Sequence, residues 1–238
     1  METPAVGRVT ALWRYPVKSM LGERCQGLTL NARGVEGDRL YAVVDANGKL
    51  GSGKSTRRFA RIDGLFRFRS AYDGDVPAIT FPDGRCRRGD DPGIHDALTA
   101  ALGQPVTLAR EAAVSHLDAG PVHLLTTASL AWLSGITPGS QLDERRFRPN
   151  ILVETAGAAA IEREWLGRTL RVGGDVALAA RRMTARCVMV TLPQSELPED
   201  PRVLRSIAQE AGDDFGIYAE VLTPGRISLG DRLTLVAA

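Results

Sequence analysis

The chain has 238 residues, enough for one large domain or two modest ones, and its hydrophobic content of 44% can fill a core. Its 30 basic and 28 acidic residues leave a formal charge of +2, so the composition predicts no broad electrostatic field for nucleic acid or for an anionic membrane surface. Any anion-binding site is therefore expected to be local.

Short segments with alternating or β-branched residues recur along the whole chain and predict strands. Turn sequences such as Asn47-Gly48 and Gly173-Gly174 separate them. The predicted strands, in chain order, are Val9–Tyr15, Leu40–Asp45, Ala78–Phe81, Val106–Arg110, Val122–Leu125, Ile151–Glu154, Thr169–Val172, Val176–Ala180, Tyr218–Leu222 and Leu233–Val236. This pattern predicts a mostly β fold.

Helical segments are few and short. The candidates are Ile94–Leu102, Thr127–Leu133 and Pro201–Ala211, of which the last has proline in its first turn and Gly212 as a stop signal. Because helices do not alternate regularly with strands, β-barrels are favoured over a parallel α/β sheet. We expect two lobes, 1–105 and 106–238, with the seam between Gly103 and Pro121.

The chain contains three cysteines, Cys25, Cys86 and Cys187, without C-x-x-C spacing. Three thiols are one short of an all-cysteine iron–sulfur set, so any electrons would come from a separate protein. The odd count and the absence of an apolar leader favour reduced thiols in the cytoplasm. Charged residues interrupt every longer apolar run, so no membrane span is predicted.

Residues 48–55, GKLGSGKS, satisfy the letters of a phosphate-binding loop. Such a loop requires a strand before the first glycine and a helix that begins at the lysine, Lys54. Asn47-Gly48 is instead typical of a hairpin turn, with Lys49–Ser52 as the returning strand. The sequence therefore favours a basic hairpin over an NTPase.

Cys187 lies in the run Arg181 to Thr191, directly after Arg186, at the end of a predicted strand. Nearby cations favour the thiolate, which is the form that acts as a nucleophile or a metal ligand. A soft thiolate suits a soft or sulfur-rich metal centre. A Cys–His hydrolase would need His95, His116 or His123 as its base, but none has a recognisable nucleophile nearby, and His123 is expected to be a hydrogen-bonded core residue.

Four segments in this order resemble the MOSC (molybdenum cofactor sulfurase C-terminal) family with its N-terminal β-barrel domain. They are residues 15–19 (YPVKS), 37–39 (GDR), 147–151 (FRPNI) and 186–187 (RC). Each segment is weak alone, but the ordered set is specific, and the resemblance extends from Val9 to Val236. The family includes the amidoxime-reducing components and their bacterial relatives.

The resemblance implies a binding site for the molybdenum cofactor, a metal held by molybdopterin. By this transfer Cys187 is the metal ligand and a catalytic residue, Asp118 is an active-site carboxylate, and the cofactor-binding residues are Lys18, Ser19, Arg39, Arg148 and Asn150. The transfer agrees with physical chemistry, because the anionic tail of a pterin requires cationic and hydroxyl donors. Such a site is expected between the lobes.

The resemblance further implies a molybdenum oxidoreductase that reduces N-hydroxylated or other N–O small molecules with electrons from a separate flavin or iron–sulfur protein. Two alternatives stay open: a sulfur carrier with a persulfide on Cys187, and a non-catalytic cofactor carrier. Where amidoxime-reducing relatives read Thr-Thr-Val-Asp after the cysteine, this chain has residues 188–191, VMVT. This difference predicts a changed substrate pocket.

Overall fold

The computed structural model of the protein describes residues 5–236 and is mostly β, with eighteen strands and three α-helices in that range. The elements of the first half are β1 (Ala5–Arg14), β2 (Glu23–Cys25), β3 (Gly27–Asn31), β4 (Gly34–Val35), β5 (Tyr41–Asp45), β6 (Leu50–Ser52), β7 (Phe59–Arg61), β8 (Arg69–Asp73), β9 (Val76–Thr80), β10 (Cys86–Arg88) and α1 (Ile94–Leu102). Those of the second half are β11 (Val106–Arg110), β12 (Val122–Thr126), α2 (Thr127–Ile136), β13 (Ile151–Glu154), β14 (Thr169–Val172), β15 (Val176–Ala185), α3 (Pro201–Ala211), β16 (Asp214–Thr223), β17 (Gly225–Ser228) and β18 (Arg232–Leu235).

The largest sheet is a closed barrel in the order β13, β12, β16, β15, β14, β18 and β1, with β1 pairing back onto β13. Neighbouring strands are antiparallel except β12 and β13. Closure leaves no unpaired edge, and it lets one face of each strand fill the interior. Leu12, Leu124, Ile151, Leu178 and Ile217 are all fully buried there.

The first half builds a second core from two smaller sheets and α1. The sheets have the orders β11-β5-β6-β7 and β10-β9-β8, and they enclose Val43, Ile62, Phe68 and Ile79 together with Leu98 of α1. A third cluster packs α2 and α3 on the outside of the barrel. The predicted mostly β fold with few helices is confirmed.

Each half contributes two strands to the sheets of the other, β1 and β2 from the first half and β11 and β17 from the second. β1 lies in the barrel among strands of the second half, and β11 pairs along its whole length with β5, from Val106 opposite Asp45 to Arg110 opposite Tyr41. The division into 1–105 and 106–238 stays a prediction. The pairing ties the two halves together on both sides of their junction.

The elements that were predicted differ from the observed ones mainly in length, and seven further strands were not predicted: β2, β3, β4, β7, β8, β10 and β17. α1 and α3 have the predicted bounds, whereas α2 continues past Leu133 to Ile136, because Ile136 packs against the third cluster. β15 continues past Ala180 to Ala185 although Arg181 and Arg182 interrupt its apolar pattern. Its pairing with β16 has a bulge at this point, and a bulge lets a strand continue with its side chains redirected.

The segment that resembles a phosphate-binding loop is a hairpin, as predicted. Gly48 has a φ of 75°, its N–H donates to the carbonyl of Asp45 at 3.0 Å, and Val44 pairs with Leu50 across the turn. After Lys54 the first helical turn begins only at Leu65. The lysine therefore does not lie at the start of a helix, which a phosphate-binding loop requires.

A buried carboxyl group lies beside the start of α2. Glu162 has no exposed surface, and one of its oxygens accepts hydrogen bonds from the hydroxyls of Thr126 and Ser129. Its Oε1 has no partner among the described residues. Burial raises the pKa of Glu162 above its usual value of 4.5, and the hydroxyl donors only partly oppose that rise. The folded protein therefore favours the protonated form.

Because the pKa of Glu162 is higher in the folded chain, its contribution to stability is complete below pH 4.5 and is lost as the pH rises through the folded-state pKa. We expect Glu162→Gln to raise the free energy of unfolding at pH 8 by about 1–2 kcal/mol, because the neutral amide avoids the burial of a charged carboxylate while its oxygen still accepts from the hydroxyls of Thr126 and Ser129. The gain shrinks towards pH 4.5. Urea unfolding between pH 4.5 and pH 8 measures this gain, and a substitution at an exposed position, Glu164→Gln, is the control. A difference in unfolding free energy that is the same at all pH values would contradict the prediction.

Candidate functional site

A cavity of about 320 Å³ lies between residues of the two halves. The basic residues on its wall are Arg39, Lys54, Arg58, Arg146, Arg148 and Arg186. Among the described residues only one acidic side chain, Asp118, lines the same cavity. The chain as a whole is nearly neutral, so this concentration of positive charge is the local anion site that the composition requires.

Three residues of the cavity wall have left-handed backbone conformations. The φ angles are 63° at Ser19, 50° at Arg39 and 56° at Arg148, and these are three of the five non-glycine residues with positive φ in the described chain. Each such residue costs on the order of 1 kcal/mol, and the conformation persists only where the surroundings enforce it. All three were predicted from the sequence to bind the cofactor.

Tyr15 supports two of these arginines from behind. The guanidinium carbons of Arg148 and Arg39 lie 4.2 and 4.7 Å from the centre of its ring, in the geometry of cation–π contacts. The ring is buried, and its hydroxyl donates to the carbonyl of Pro149 at 3.2 Å. This aromatic side chain therefore sets the position of two cations that lie far apart in the sequence.

Asp38 completes the support of Arg39. Its carboxylate is fully buried, pairs with the Arg39 guanidinium, and accepts the N–H of Tyr15 at 2.8 Å. Burial lowers the pKa of Arg39, but the Asp38 and Asp118 carboxylates outweigh it and hold that pKa above its usual range. Burial, and then repulsion from Arg39, lower the pKa of Arg148 to about 10. Both guanidinium groups are charged at pH 7.

Lys18 and Asp118 form an ion pair across the junction of the two halves. The lysine is 3% exposed and its ammonium also donates to the carbonyl of His116 at 3.0 Å, whereas the Asp118 side chain is 43% exposed. Burial raises the pKa of Asp118, but the charges of Lys18 and Arg39 more than offset it, so the pKa is below its usual range. Asp118 is therefore a carboxylate at neutral pH.

The loop that carries Asp118 is held at two points. The Arg58 guanidinium donates to the carbonyls of Ser115 and of Leu117, the latter at 2.8 Å. Glu111 accepts the backbone N–H of His116 at 2.6 Å and pairs with Arg33. The hydrogen bonds from Arg33 lower the pKa of Glu111 to about 2. These contacts fix the loop so that Asp118 faces the cavity.

Cys187 is half-buried and lines the cavity just beyond the end of β15. Its neighbour Arg186 donates to the carbonyls of Phe215 at 2.7 Å and of Phe147 at 3.0 Å, and its Nη2 lies 2.6 Å from His123 Nε2. Burial lowers the pKa of Arg186 to about 10. The flanking arginine is thus anchored in the wall, and the thiol faces the cavity.

His123 is a buried histidine, as predicted, and it also lines the cavity. Burial and the charge of Arg186 lower its pKa well below the usual value, so the neutral ring accepts a hydrogen bond from Arg186. Gly216 of β16 has a φ of 79°, and a Cβ there would lie 2.6 Å from His123 Nε2. A glycine is required for this close approach.

The segment after the cysteine packs on the basic hairpin. The Met189 sulfur lies 3.2 Å from the backbone nitrogen of Gly53, and a Cβ at Gly53 would lie only 2.4 Å from a methyl carbon of Leu192. Met189 and Val190 both line the cavity. Met189 differs from the second residue of the Thr-Thr-Val-Asp pattern and lines the cavity, whereas Val190 matches the third residue of that pattern. Val188 and Thr191 also differ from the pattern but do not line the cavity.

The structure brings five of the seven predicted site residues to one cavity: Ser19, Arg39, Asp118, Arg148 and Cys187. Lys18 does not line the cavity, but its ammonium pairs with Asp118, which does. Asn150 does not line the cavity. Its amide accepts the N–H of His123 at 3.1 Å and donates to the carbonyl of Trp13 at 3.3 Å, so it joins β12 to β1. Direct contacts of these seven residues with a cofactor stay predictions.

Several residues of the cavity were not predicted from the sequence. Thr184 lies in the run Arg181 to Thr191 that was already singled out, and Arg146 directly precedes the segment 147–151, so their nearness to Cys187 and Arg148 was a usable signal. Arg58 and Tyr218 gave no such signal, because their role depends on contacts between distant segments.

The cavity contains buried donors without partners, which suits an anionic ligand. Arg148 Nη2, Arg146 Nη1 and the Thr184 hydroxyl are buried and make no hydrogen bond to the described residues. Buried donors are normally satisfied, so unpaired guanidinium nitrogens at a cavity wall indicate a place for acceptor oxygens. This donor set, together with one accessible thiol, fits a pterin cofactor with a terminal phosphate and a thiophilic metal.

Comparison with known proteins agrees with the fold and the site. The MOSC domain matches residues 111–234, and the MOSC N-terminal beta barrel domain matches residues 6–84. The chain is 24% identical to mitochondrial amidoxime-reducing component 1 of Mus musculus and 25% identical to that of Homo sapiens, in each case over 97% of this chain and 83% of the relative. The crystal structure of the YUAD protein from Bacillus subtilis has the same fold, with a TM-score of 0.55, 13% identity, and coverage of 96% of this chain and 94% of that one.

None of the three helices in residues 5–236 has both the length and the apolar character that a membrane crossing requires. The two domain matches together cover most of the chain, and the match to the N-terminal beta barrel domain agrees with the mostly β fold. The chain belongs to the MOSC domain family, which is associated with the molybdenum cofactor.

Proposed function

We propose that this protein binds the molybdenum cofactor in the cavity between its halves and reduces N-hydroxylated small molecules. The observation that carries the proposal is the shared cavity, which Cys187 lines together with the left-handed Ser19, Arg39 and Arg148. The relatives from mouse and human are named amidoxime-reducing components, and amidoximes are N-hydroxylated amidines.

Different residues of the cavity wall would bind different parts of the cofactor. Arg148 and Arg146 have unpaired guanidinium nitrogens, so this part of the wall would bind the phosphate and the polar pterin edge. The Ser19 hydroxyl donates to the carbonyl of Gly51 at 2.9 Å, and it would have to exchange that acceptor for a ligand oxygen to contribute a donor. Tyr15 and Asp38 keep Arg39 in place before the ligand arrives, which lowers the cost of binding. Cys187 would bind the metal through its thiolate.

The reaction consumes two electrons and two protons for each N–O bond that is broken. One proton joins the N-hydroxyl group, which leaves as water, and the other is added to the substrate nitrogen, so an amidoxime becomes an amidine. When bound, the cofactor supplies a two-electron centre and a Lewis-acidic metal. The electrons would come from a separate flavin or iron–sulfur protein, because the chain has too few cysteines for a cluster of its own.

Asp118 is the residue best suited to orient the substrate. It is a carboxylate at neutral pH, partly exposed in the cavity, and fixed by Lys18 and by the loop that Arg58 holds. A carboxylate is an acceptor only, so it would bind the N–H groups of an amidoxime rather than supply a proton. The buried, neutral His123 is held by Arg186, so it acts as support rather than as a general base.

The proposal is tested with protein produced in a host that makes the molybdenum cofactor. We expect the metal-loaded protein to convert benzamidoxime to benzamidine with a reduced viologen dye as the electron source, under anaerobic conditions and without another protein. Complete metal loading without any turnover of benzamidoxime or other N-hydroxylated bases contradicts the reductase proposal. A stable extra sulfur on Cys187 without molybdenum, seen by intact-mass measurement, would instead support the persulfide carrier.

A further inference from the structure

Lys54 differs from the other cations of the cavity. Among residues 5–236, the remaining basic side chains on the wall each donate to an oxygen of the protein, which is a carboxylate for Arg39 and a backbone carbonyl for Arg58, Arg146, Arg148 and Arg186. The Lys54 ammonium has no oxygen partner in that part of the chain, and it lies 5.5 Å from the centre of the Phe59 ring. Its charge is therefore available to a ligand.

The position of Lys54 is on the cysteine side of the cavity. It directly follows Gly53, whose backbone nitrogen lies 3.2 Å from the sulfur of Met189, two residues beyond Cys187. Arg39 and Arg148, by contrast, pack on Tyr15. The backbone next to Lys54 therefore lies on the side of Cys187. The Lys54 ammonium lies beside the Phe59 ring, which also contacts the Lys18 ammonium, the partner of Asp118.

The Phe59 ring lies beside the Lys54 ammonium, and the Lys18 ammonium and the Arg58 guanidinium each lie 5.2 Å from the centre of the same ring. Lys18 and Arg58 are paired with oxygens of the protein. Met189 and Val190 add apolar side chains to the same cavity. A wall of this kind suits a ligand with an apolar body and one anionic end, because the body packs on carbon and sulfur while the ammonium makes a charge-assisted hydrogen bond.

We propose that Lys54 binds a carboxylate group of the substrate, so that the protein prefers N-hydroxylated compounds that carry a carboxylate over neutral ones. This inference rests on the proposed reductase function, which it narrows to a class of substrate. It also gives a role to the basic hairpin. The Asn47-Gly48 turn and β6 bring Lys54 to the cavity, although the segment does not bind nucleotide phosphate by the loop mechanism.

The test compares benzamidoxime with 4-carboxybenzamidoxime as substrates of the metal-loaded protein. We expect the wild type to have the higher kcat/KM for the carboxylated compound, and Lys54→Gln to lower the ratio of the two kcat/KM values by about tenfold or more, as loss of a charge-assisted contact implies. Lys54→Arg should restore most of the ratio. Lys49→Gln is the matched control, because Lys49 lies on the same hairpin but is exposed and outside the cavity.

Equilibrium binding provides a second readout that does not depend on turnover. The product 4-carboxybenzamidine should bind the metal-loaded wild type more tightly than Lys54→Gln by a similar factor, as measured by calorimetry. If benzamidoxime is reduced but the ratio is the same in wild type and Lys54→Gln, the inference is wrong and the reductase function stands. If neither compound is reduced, the reductase function fails, and equal binding of the product to both proteins would also overturn the role of Lys54.

Discussion

Cys187→Ala is expected to abolish N-hydroxyl reduction, with a loss of at least about 100-fold in kcat/KM, because removal of a metal ligand costs more than the 10–100-fold typical of residues behind the ligands. The molybdenum content of the purified protein should fall as well. Cys187 is half-buried at a cavity wall, so the free energy of unfolding should change by less than about 1 kcal/mol. Reduction of benzamidoxime, elemental analysis and urea unfolding give the three values.

The matched control for this variant is Cys86→Ala. Cys86 is an exposed free thiol on β10 and does not line the cavity. The Cys86→Ala variant should have the activity, the metal content and the stability of the wild type. Wild-type activity in Cys187→Ala, or equal losses in the two variants, would show that the thiol does not have the proposed role.

Asp38→Ala should cause the largest loss of stability at the site. Asp38 is fully buried, and its removal leaves the 6% exposed Arg39 without its main counter-charge and the Tyr15 N–H without an acceptor. Breaking a buried ion pair on one side typically costs about 3–5 kcal/mol. Because Arg39 is then no longer held on the Tyr15 ring, retention of the cofactor should fall together with stability. Urea unfolding and elemental analysis measure the two effects.

Two further variants separate charge from packing at this position. Asp38→Asn keeps an acceptor for the Tyr15 N–H but not the charge, so its loss of stability should lie between those of the wild type and the alanine variant. Asp83→Ala removes an exposed carboxylate that pairs with Arg85, and it should have little effect. If the Asp38 and Asp83 variants are equally stable, Asp38 does not support the site.

Much of the fold was predictable because local sequence patterns mark the ends of several helices and turns. Pro201 and Gly212 mark the two ends of α3, and Asn47-Gly48 marks the hairpin that ruled out a phosphate-binding loop. No local sequence pattern indicated which of the distant strands pair with each other. The closure of the barrel by β1, which comes from the opposite end of the chain to β18, depends on contacts that no window of the sequence contains.

The site was predictable in its residue types and less so in its organisation. The ordered motifs pointed to Ser19, Arg39, Arg148 and Cys187, and these line one cavity. The backbone strain of Ser19, Arg39 and Arg148, and the Tyr15 ring beneath two of them, became visible only in three dimensions. The amide of Asn150 joins two strands, and a contact of this residue with the cofactor stays a prediction.

The most direct test of the account is X-ray absorption spectroscopy at the molybdenum edge of the loaded wild type and of Cys187→Ser. If the Cys187 sulfur binds the metal, the wild type has one more sulfur neighbour at molybdenum than the serine variant has. The same number of sulfur neighbours in both proteins would contradict the assignment of Cys187 as the ligand, and with it the proposed reaction at this cavity.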